Sequence, residues 1–288
     1  MKTKQPIGRL LLAGGLATSF ALAHTPANAA ASLWFGNDGA GTEFHTTTGG
    51  AVLGTISESL TGVAWTGSTL YVGDPGTSIE AKTLAGGSKP GSFTVAAPGS
   101  PAEDMAWDSS SHQLYRVFHI GAGNQAYIES FTTAGVVTST FALPTADPTG
   151  TLTSTMGALG VAYDSTRNQL DVSFCNEGCG ALGGVIEAFD PTTMAMLGTV
   201  FTSSTAYLGG LGYDAATDTL WVGGADSGGS FVEHTLRDGT VLSRFASSVF
   251  PDGFEFIADV PEPATWALMI CGFGLAGAAL RRRETTSA

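Results

Sequence analysis

Gly210-Leu211-Gly212-Tyr213-Asp214-Ala215-Ala216-Thr217-Asp218-Thr219-Leu220-Trp221-Val222-Gly223 is the stretch that decides how this chain is read. Small and apolar residues alternate as far as Tyr213, Asp214 opens a polar turn, and a second apolar run starts at Leu220. That pattern describes two short strands joined by a turn. The first run recurs as Gly62-Val63-Ala64-Trp65, Asp104-Met105-Ala106-Trp107, Gly160-Val161-Ala162-Tyr163 and Gly253-Phe254-Glu255-Phe256. Asp108 and Asp164 open the same polar turn in two of these copies. The second run recurs as Leu33-Trp34-Phe35-Gly36, Leu70-Tyr71-Val72-Gly73, Leu114-Tyr115-Arg116-Val117 and Leu170-Asp171-Val172-Ser173.

Farther out, a third strand carries a glutamate in each copy: Glu43, Glu80, Glu129, Glu187 and Glu233. These five are expected to share one solvent-facing or hydrogen-bonded position. A fourth strand rich in Thr, Val and Phe follows, as in Val52–Ile56, Val137–Phe141 and Val241–Phe245. The leucine anchors at 33, 70, 114, 170 and 220 lie 37, 44, 56 and 50 residues apart. Four strands in such an interval is the period of a β-propeller blade. The chain enters on a second strand and ends on a first strand. Pairing Leu33–Gly36 with Gly253–Ile257 would complete a fifth blade and remove the open edges of a linear array. The expectation is therefore an all-β, single five-bladed propeller over 32–258. The strand pattern resembles NHL-type and related repeat propellers, although no family fingerprint covers it. A β-sandwich or solenoid is the alternative, and a solenoid would leave the two ends far apart.

Composition sets limits on function. The chain has 288 residues, 43% hydrophobic and 13% charged, with 40 glycines, which suits a packed core of short strands and tight turns. Between residues 31 and 260 only Lys82, Lys89, Arg116, Arg167, Arg237 and Arg244 face 23 acidic residues. Such a surface repels phosphate backbones, so nucleic acid is excluded as a partner.

Both ends read as addresses. Lys2, Lys4 and Arg9 precede an apolar run from Leu10 to Ala23 and small residues at Ala27-Asn28-Ala29. This is the form of a signal peptide, residues 1–29, with an N-terminal signal helix and cleavage after Ala29. At the other end, Val260-Pro261-Glu262-Pro263 precedes an apolar stretch from Ala264 to Leu280, then Arg281-Arg282-Arg283. The stretch predicts a transmembrane helix over 264–280, about 25 Å long. The arginines would remain cytoplasmic. The order and spacing over 259–284 resemble the PEP-CTERM sorting domain. That resemblance implies recognition by an exosortase, a membrane-embedded processing enzyme, with cleavage near Pro261-Glu262-Pro263. It further implies a Gram-negative source that makes exopolysaccharide, and a product in the periplasm, at the outer surface or in the extracellular matrix.

No catalytic constellation stands out. The loops after the second strands read Asn37-Asp38-Gly39, Asp74-Pro75-Gly76, Gly121-Ala122-Gly123-Asn124, Asn176-Glu177-Gly178 and Asp226-Ser227-Gly228. Asp38, Asp74 and Asp226 are candidates for a Ca²⁺ site at the channel mouth, although Asx-Gly is also what tight turns need by themselves. Cys175 and Cys179 share one loop and, in an oxidising compartment, are expected to form a disulfide. Gly178–Gly183 matches the dinucleotide pattern but precedes a strand where that chemistry needs a helix. Asp226–Gly229 echoes a serine-protease segment with no partner histidine segment. His45, His112, His119 and His234 lack metal-ligand spacing. The expected function is a non-catalytic propeller at the cell surface or in the matrix, binding polysaccharide or envelope proteins. A metal-dependent propeller hydrolase or lactonase is the alternative.

Overall fold

The computed structural model describes residues 30–36, 41–57, 61–73, 77–95, 102–119, 125–146, 156–176 and 181–258. The expected signal helix and the expected transmembrane helix lie outside them. Among the described residues no helix is long and apolar enough to cross a membrane.

Five four-stranded antiparallel sheets form the body. Blade one joins the two ends of the described body: β1 (Ser32–Gly36), β2 (Glu43–Thr47) and β3 (Val52–Ile56) are completed on the inner side by the last of the described strands (Gly253–Ile257). Blade two is β4 (Val63–Trp65), β5 (Leu70–Gly73), β6 (Ser78–Lys82) and β7 (Phe93–Thr94). Blade three is β8 (Ala102–Asp108), β9 (Gln113–His119), β10 (Ala126–Thr132) and β11 (Val137–Ala142). Blade four is β12 (Gly157–Asp164), β13 (Gln169–Asn176), β14 (Ala181–Phe189) and β15 (Met196–Ser203). Blade five is β16 (Ala206–Asp214), β17 (Thr219–Asp226), β18 (Gly229–Leu236) and β19 (Val241–Ala246), and the last strand is β20.

Closure follows the expected register. Ser32 lies opposite Ile257, Phe35 opposite Phe254 and Gly36 opposite Gly253. The apolar packing gives an independent reason for the ring. The five hydrophobic cores each lie between two neighbouring blades, and the cluster of Leu33, Phe35, Trp221, Val232, Phe254 and Phe256 joins blade five to blade one. A blade is a two-faced sheet that cannot bury both faces alone, so each one borrows its neighbour. Burial grades outward. The second strand β1 is buried at every residue, whereas the outer strand β11 alternates half-buried and exposed positions.

The repeated glutamates do not share one environment. Glu80, Glu129, Glu187 and Glu233 lie opposite Val72, Arg116, Val172 and Val222. Glu43 lies opposite Gly36, because the partner of the equivalent Phe35 is Phe44. A one-residue difference in a hairpin turns every side chain to the other face. Glu43, Glu129 and Glu187 are buried, Glu233 is half-buried, and Glu80 has an ion pair with Lys82 at 2.6 Å.

Candidate functional site

The first strands of the blades surround the axis, and their repeated four-residue motif explains how that axis is filled. Positions one and three of the motif are small in most blades: Gly62, Gly160, Gly210 and Gly253 at the first, Ala64, Ala106, Ala162 and Gly212 at the third. The inner strands approach so closely that a β-carbon on Gly210 would lie 2.5 Å from the Asp252 carbonyl oxygen. Each position carries one acid. At the first, Asp104 is fully buried and accepts the backbone N–H groups of Met105 (2.8 Å), Val161 (3.1 Å), Leu211 (3.0 Å) and Phe254 (2.9 Å). One carboxylate thus ties together the inner strands of four blades. At the third position, Glu255 accepts the N–H of Trp65 at 3.0 Å. Burial pushes the Glu255 carboxyl up to about 8, against the pull of that hydrogen bond. Trp65, Trp107, Tyr163 and Tyr213 form a collar around Glu255, enclosing a cavity of about 40 Å³. That is room for a water or two and nothing larger. The axis is a structural plug.

The candidates named from sequence fall in different places. Asp38, Asp74 and Cys179 lie outside the described residues, and Cys175 is buried at the end of β13. Asp226 closes the hairpin at the end of β17. It accepts Arg244 at 2.7 Å and the N–H of Gly228 at 2.7 Å, and Arg244 holds its carboxyl below the usual range. Among the described residues no group of three or more His, Cys, Asp or Glu side chains is placed to hold a metal ion. The four histidines are engaged structurally. His45 stacks on Trp34, His234 on Trp221 and His112 on Trp107, while His119 bonds the Ala158 carbonyl at 2.8 Å.

A cleft that the sequence did not reveal opens between blades three and four. It has a volume of about 390 Å³ and lies beside the turn that Asp108 opens. Asp108 accepts the hydroxyls of Ser110 (2.7 Å) and Ser111 (2.5 Å) and the Ser110 N–H (2.7 Å). Burial pushes its carboxyl up, but these bonds outweigh that and hold it low, so the group is anionic. Across the cleft a chain of hydroxyls runs from Ser139 through Ser130 and Thr138 to the Gln113 amide oxygen. Asn168 also lines it. Tyr115 stands at its wall with a phenol pushed up to about 12, chiefly by burial and by Asp108, so its hydroxyl is a permanent donor. The signal that could have located this cleft is the polar content of β9, β10 and β11 where they meet the turns of blade four. It is visible only once the blades are placed side by side.

The model of one protein family, described as the PEP-CTERM protein-sorting motif, matches residues 259–283. The C-terminal segment is a PEP-CTERM sorting motif. The matched interval contains Val260, Pro261, Glu262, Pro263 and Arg281–Arg283, and it begins two residues after β20 ends. A PEP-CTERM motif is an address, so it identifies how the chain is sorted and leaves the body's ligand to be argued from the body. No curated protein matches the chain. Among solved structures, a chain of the "Nidogen/Laminin Complex" is 15% identical with a TM-score of 0.50, covering 81% of this chain and 99% of that one. A protein of unknown function from Bacteroides caccae gives 9% and 0.48, with 79% and 99% covered. A putative TolB from Agrobacterium tumefaciens gives 12% and 0.45, with 76% and 70% covered. At such identities the likeness is one of fold.

Proposed function

We propose that this protein is exported, processed by an exosortase at its PEP-CTERM motif, and displayed at the cell surface or in the extracellular matrix. There its propeller binds polysaccharide or protein partners without catalysis. The sorting motif at 259–283 is the observation that carries the reading. In this account residues 1–29 are a signal peptide removed after Ala29. Residues 264–280 form a transmembrane helix, and Arg281–Arg283 stay on the cytoplasmic side. Glu262, between Pro261 and Pro263, sits in an extended segment open to the processing enzyme. Cys175 and Cys179 form a disulfide that stiffens one loop in the oxidising compartment. The acidic body supports binding over turnover, since among the described residues the two hydroxyls that touch a histidine, Ser32 on His45 at 3.0 Å and Thr219 on His234 at 2.7 Å, are themselves buried, with each ring stacked on a tryptophan.

Deleting the exosortase from the host tests the sorting half. The tail should then stay attached, raising the mature mass, and the protein should remain in the inner membrane. An unchanged mass and location would overturn it. Incubation of the full chain with exopolysaccharide and envelope fractions tests the binding half, which fails if nothing is recovered above a control protein.

A further inference from the structure

The turn after each third strand directs one residue toward the neighbouring blade, and that residue is long in two blades and short in three, Thr48, Thr133 and Pro191. In blade five the turn after β18 carries Arg237, which reaches back onto blade four and bonds Asp171 at 2.7 and 3.1 Å and Asp164 at 3.0 Å. In blade two the turn after β6 carries Leu84, which packs against the cluster containing Trp34 of blade one. Trp34, Asp171 and Tyr115 are the same repeat position, each following the anchor leucine of a second strand. In blade four the residue equivalent to Arg237 is Pro191. Its short ring does not fill the gap, and its carbonyl only receives the Tyr115 hydroxyl at 3.4 Å. Beside Arg237 the equivalent cleft is smaller, about 270 Å³ against about 390 Å³ for the cleft at Pro191 between blades three and four.

We infer that this cleft binds a neutral sugar ring of a polysaccharide. The inference names a ligand class for the binding role proposed above and rests on it. The lining chooses among ligand chemistries. Among the described residues no lysine or arginine lines the cleft, and anionic Asp108 is present, so phosphate, sulfate and uronate groups are disfavoured. Tyr115 stands where blade four has Asp171, and Asp108 already accepts two hydroxyls and two N–H groups, so a cation would lack the second carboxylate that holds Arg237. An apolar guest would strand the amides and hydroxyls. Gln113, Asn168, Ser130 and Ser139 offer donors and acceptors side by side, and the vicinal hydroxyls of a sugar also donate and accept at once. A volume of about 390 Å³ is near the lower end for small-molecule sites, enough for a short saccharide segment.

The test uses the full chain purified in lauryldimethylamine oxide, a detergent without sugar, titrated calorimetrically with maltohexaose, cellohexaose and chitohexaose. At least one should bind saturably. Pro191→Arg, which copies the blade-five filling, should weaken that binding at least tenfold with an unchanged melting midpoint. If Pro191→Arg lowers the melting midpoint, Gln113→Ala and Ser139→Ala replace it, each with an expected loss of about tenfold. Sugar binding that survives all three substitutions overturns the cleft while leaving the proposed binding role intact. No sugar binding alongside capture of an envelope protein overturns the saccharide and points to a protein partner. Neither sugar binding nor envelope capture overturns both readings.

Discussion

The Asp104 carboxylate and the backbone N–H of Phe254 lie 2.9 Å apart, although 150 positions of chain separate them. Their contact crosses the centre of the ring and joins blade three to the strand that closes it. Its consequence is large because the same carboxylate also receives Met105, Val161 and Leu211. Asp104→Ala would leave four buried N–H groups unpaired, each worth about 1–3 kcal/mol. The expected loss is at least about 4 kcal/mol in urea denaturation, or failure to fold. Asp104→Asn should recover little, because its amide nitrogen would face N–H donors. A loss under about 1 kcal/mol for the alanine variant would show that these amides have other partners.

Glu255 gives the ring a pH dependence of definite sign. Its folded pKa, about 8, lies above the ordinary glutamate value of 4.5. Its neutral form is therefore favoured by folding, and its contribution is fully present below about pH 4.5. That contribution is lost as pH rises through about 8, at up to about 1.4 kcal/mol per pH unit. Thermal melts should show the wild type losing stability between pH 5 and pH 8.5. Glu255→Gln, which keeps an oxygen for the Trp65 N–H, should flatten that slope. Parallel curves for the two proteins would refute the assignment.

Arg116 and Glu129 form a buried ion pair in blade three, with N–O distances of 2.6 and 2.9 Å. The guanidinium lies 5.0 Å from the Phe118 ring centre and 5.8 Å from that of Phe131. Arg116→Met alone would strand a buried carboxylate and should reduce stability by about 3–5 kcal/mol. Adding Glu129→Leu should restore most of it, since a hydrophobic pair of similar volume is often neutral. Chemical denaturation of the two single variants and the double variant measures the coupling. Simple additivity would mean that the pair contributes no coupling of its own.

What the sequence could and could not reveal follows from the kinds of spacing involved. The anchor leucines, from Leu33 to Leu220, repeat at blade intervals, and the chain starts and stops out of phase. Ring closure is therefore legible, and the pairing of Phe35 with Phe254 agrees with it. Register within a hairpin is not legible in the same way. The residue counts around Glu43 and Glu80 look alike, but the turn before Glu43 places it opposite Gly36 and inverts its facing. The acids at motif positions one and three were visible as letters. Their convergence on the axis depends on how closely Gly160 and Gly210 let the strands approach, which no one-dimensional pattern contains. The cleft at Pro191 depends on contact between blades, and adjacent blades meet through residues far apart in sequence. Asp226 reads as an open turn acid in sequence, yet Arg244, two strands farther out, already holds it.

The seam at Ser32 and Ile257 also sets an order of assembly. The strand made first is the one paired last on its inner side, so Leu33 and Phe35 must wait for Phe254 and Phe256 with apolar surface uncovered. Nearly the whole body has to emerge before its own beginning can be sheltered, and contacts so distant in sequence form slowly. A chain cut short anywhere before Gly253 would leave a gapped ring with one adhesive inner edge. The pairing that completes the ring lies just ahead of the sorting motif that follows it.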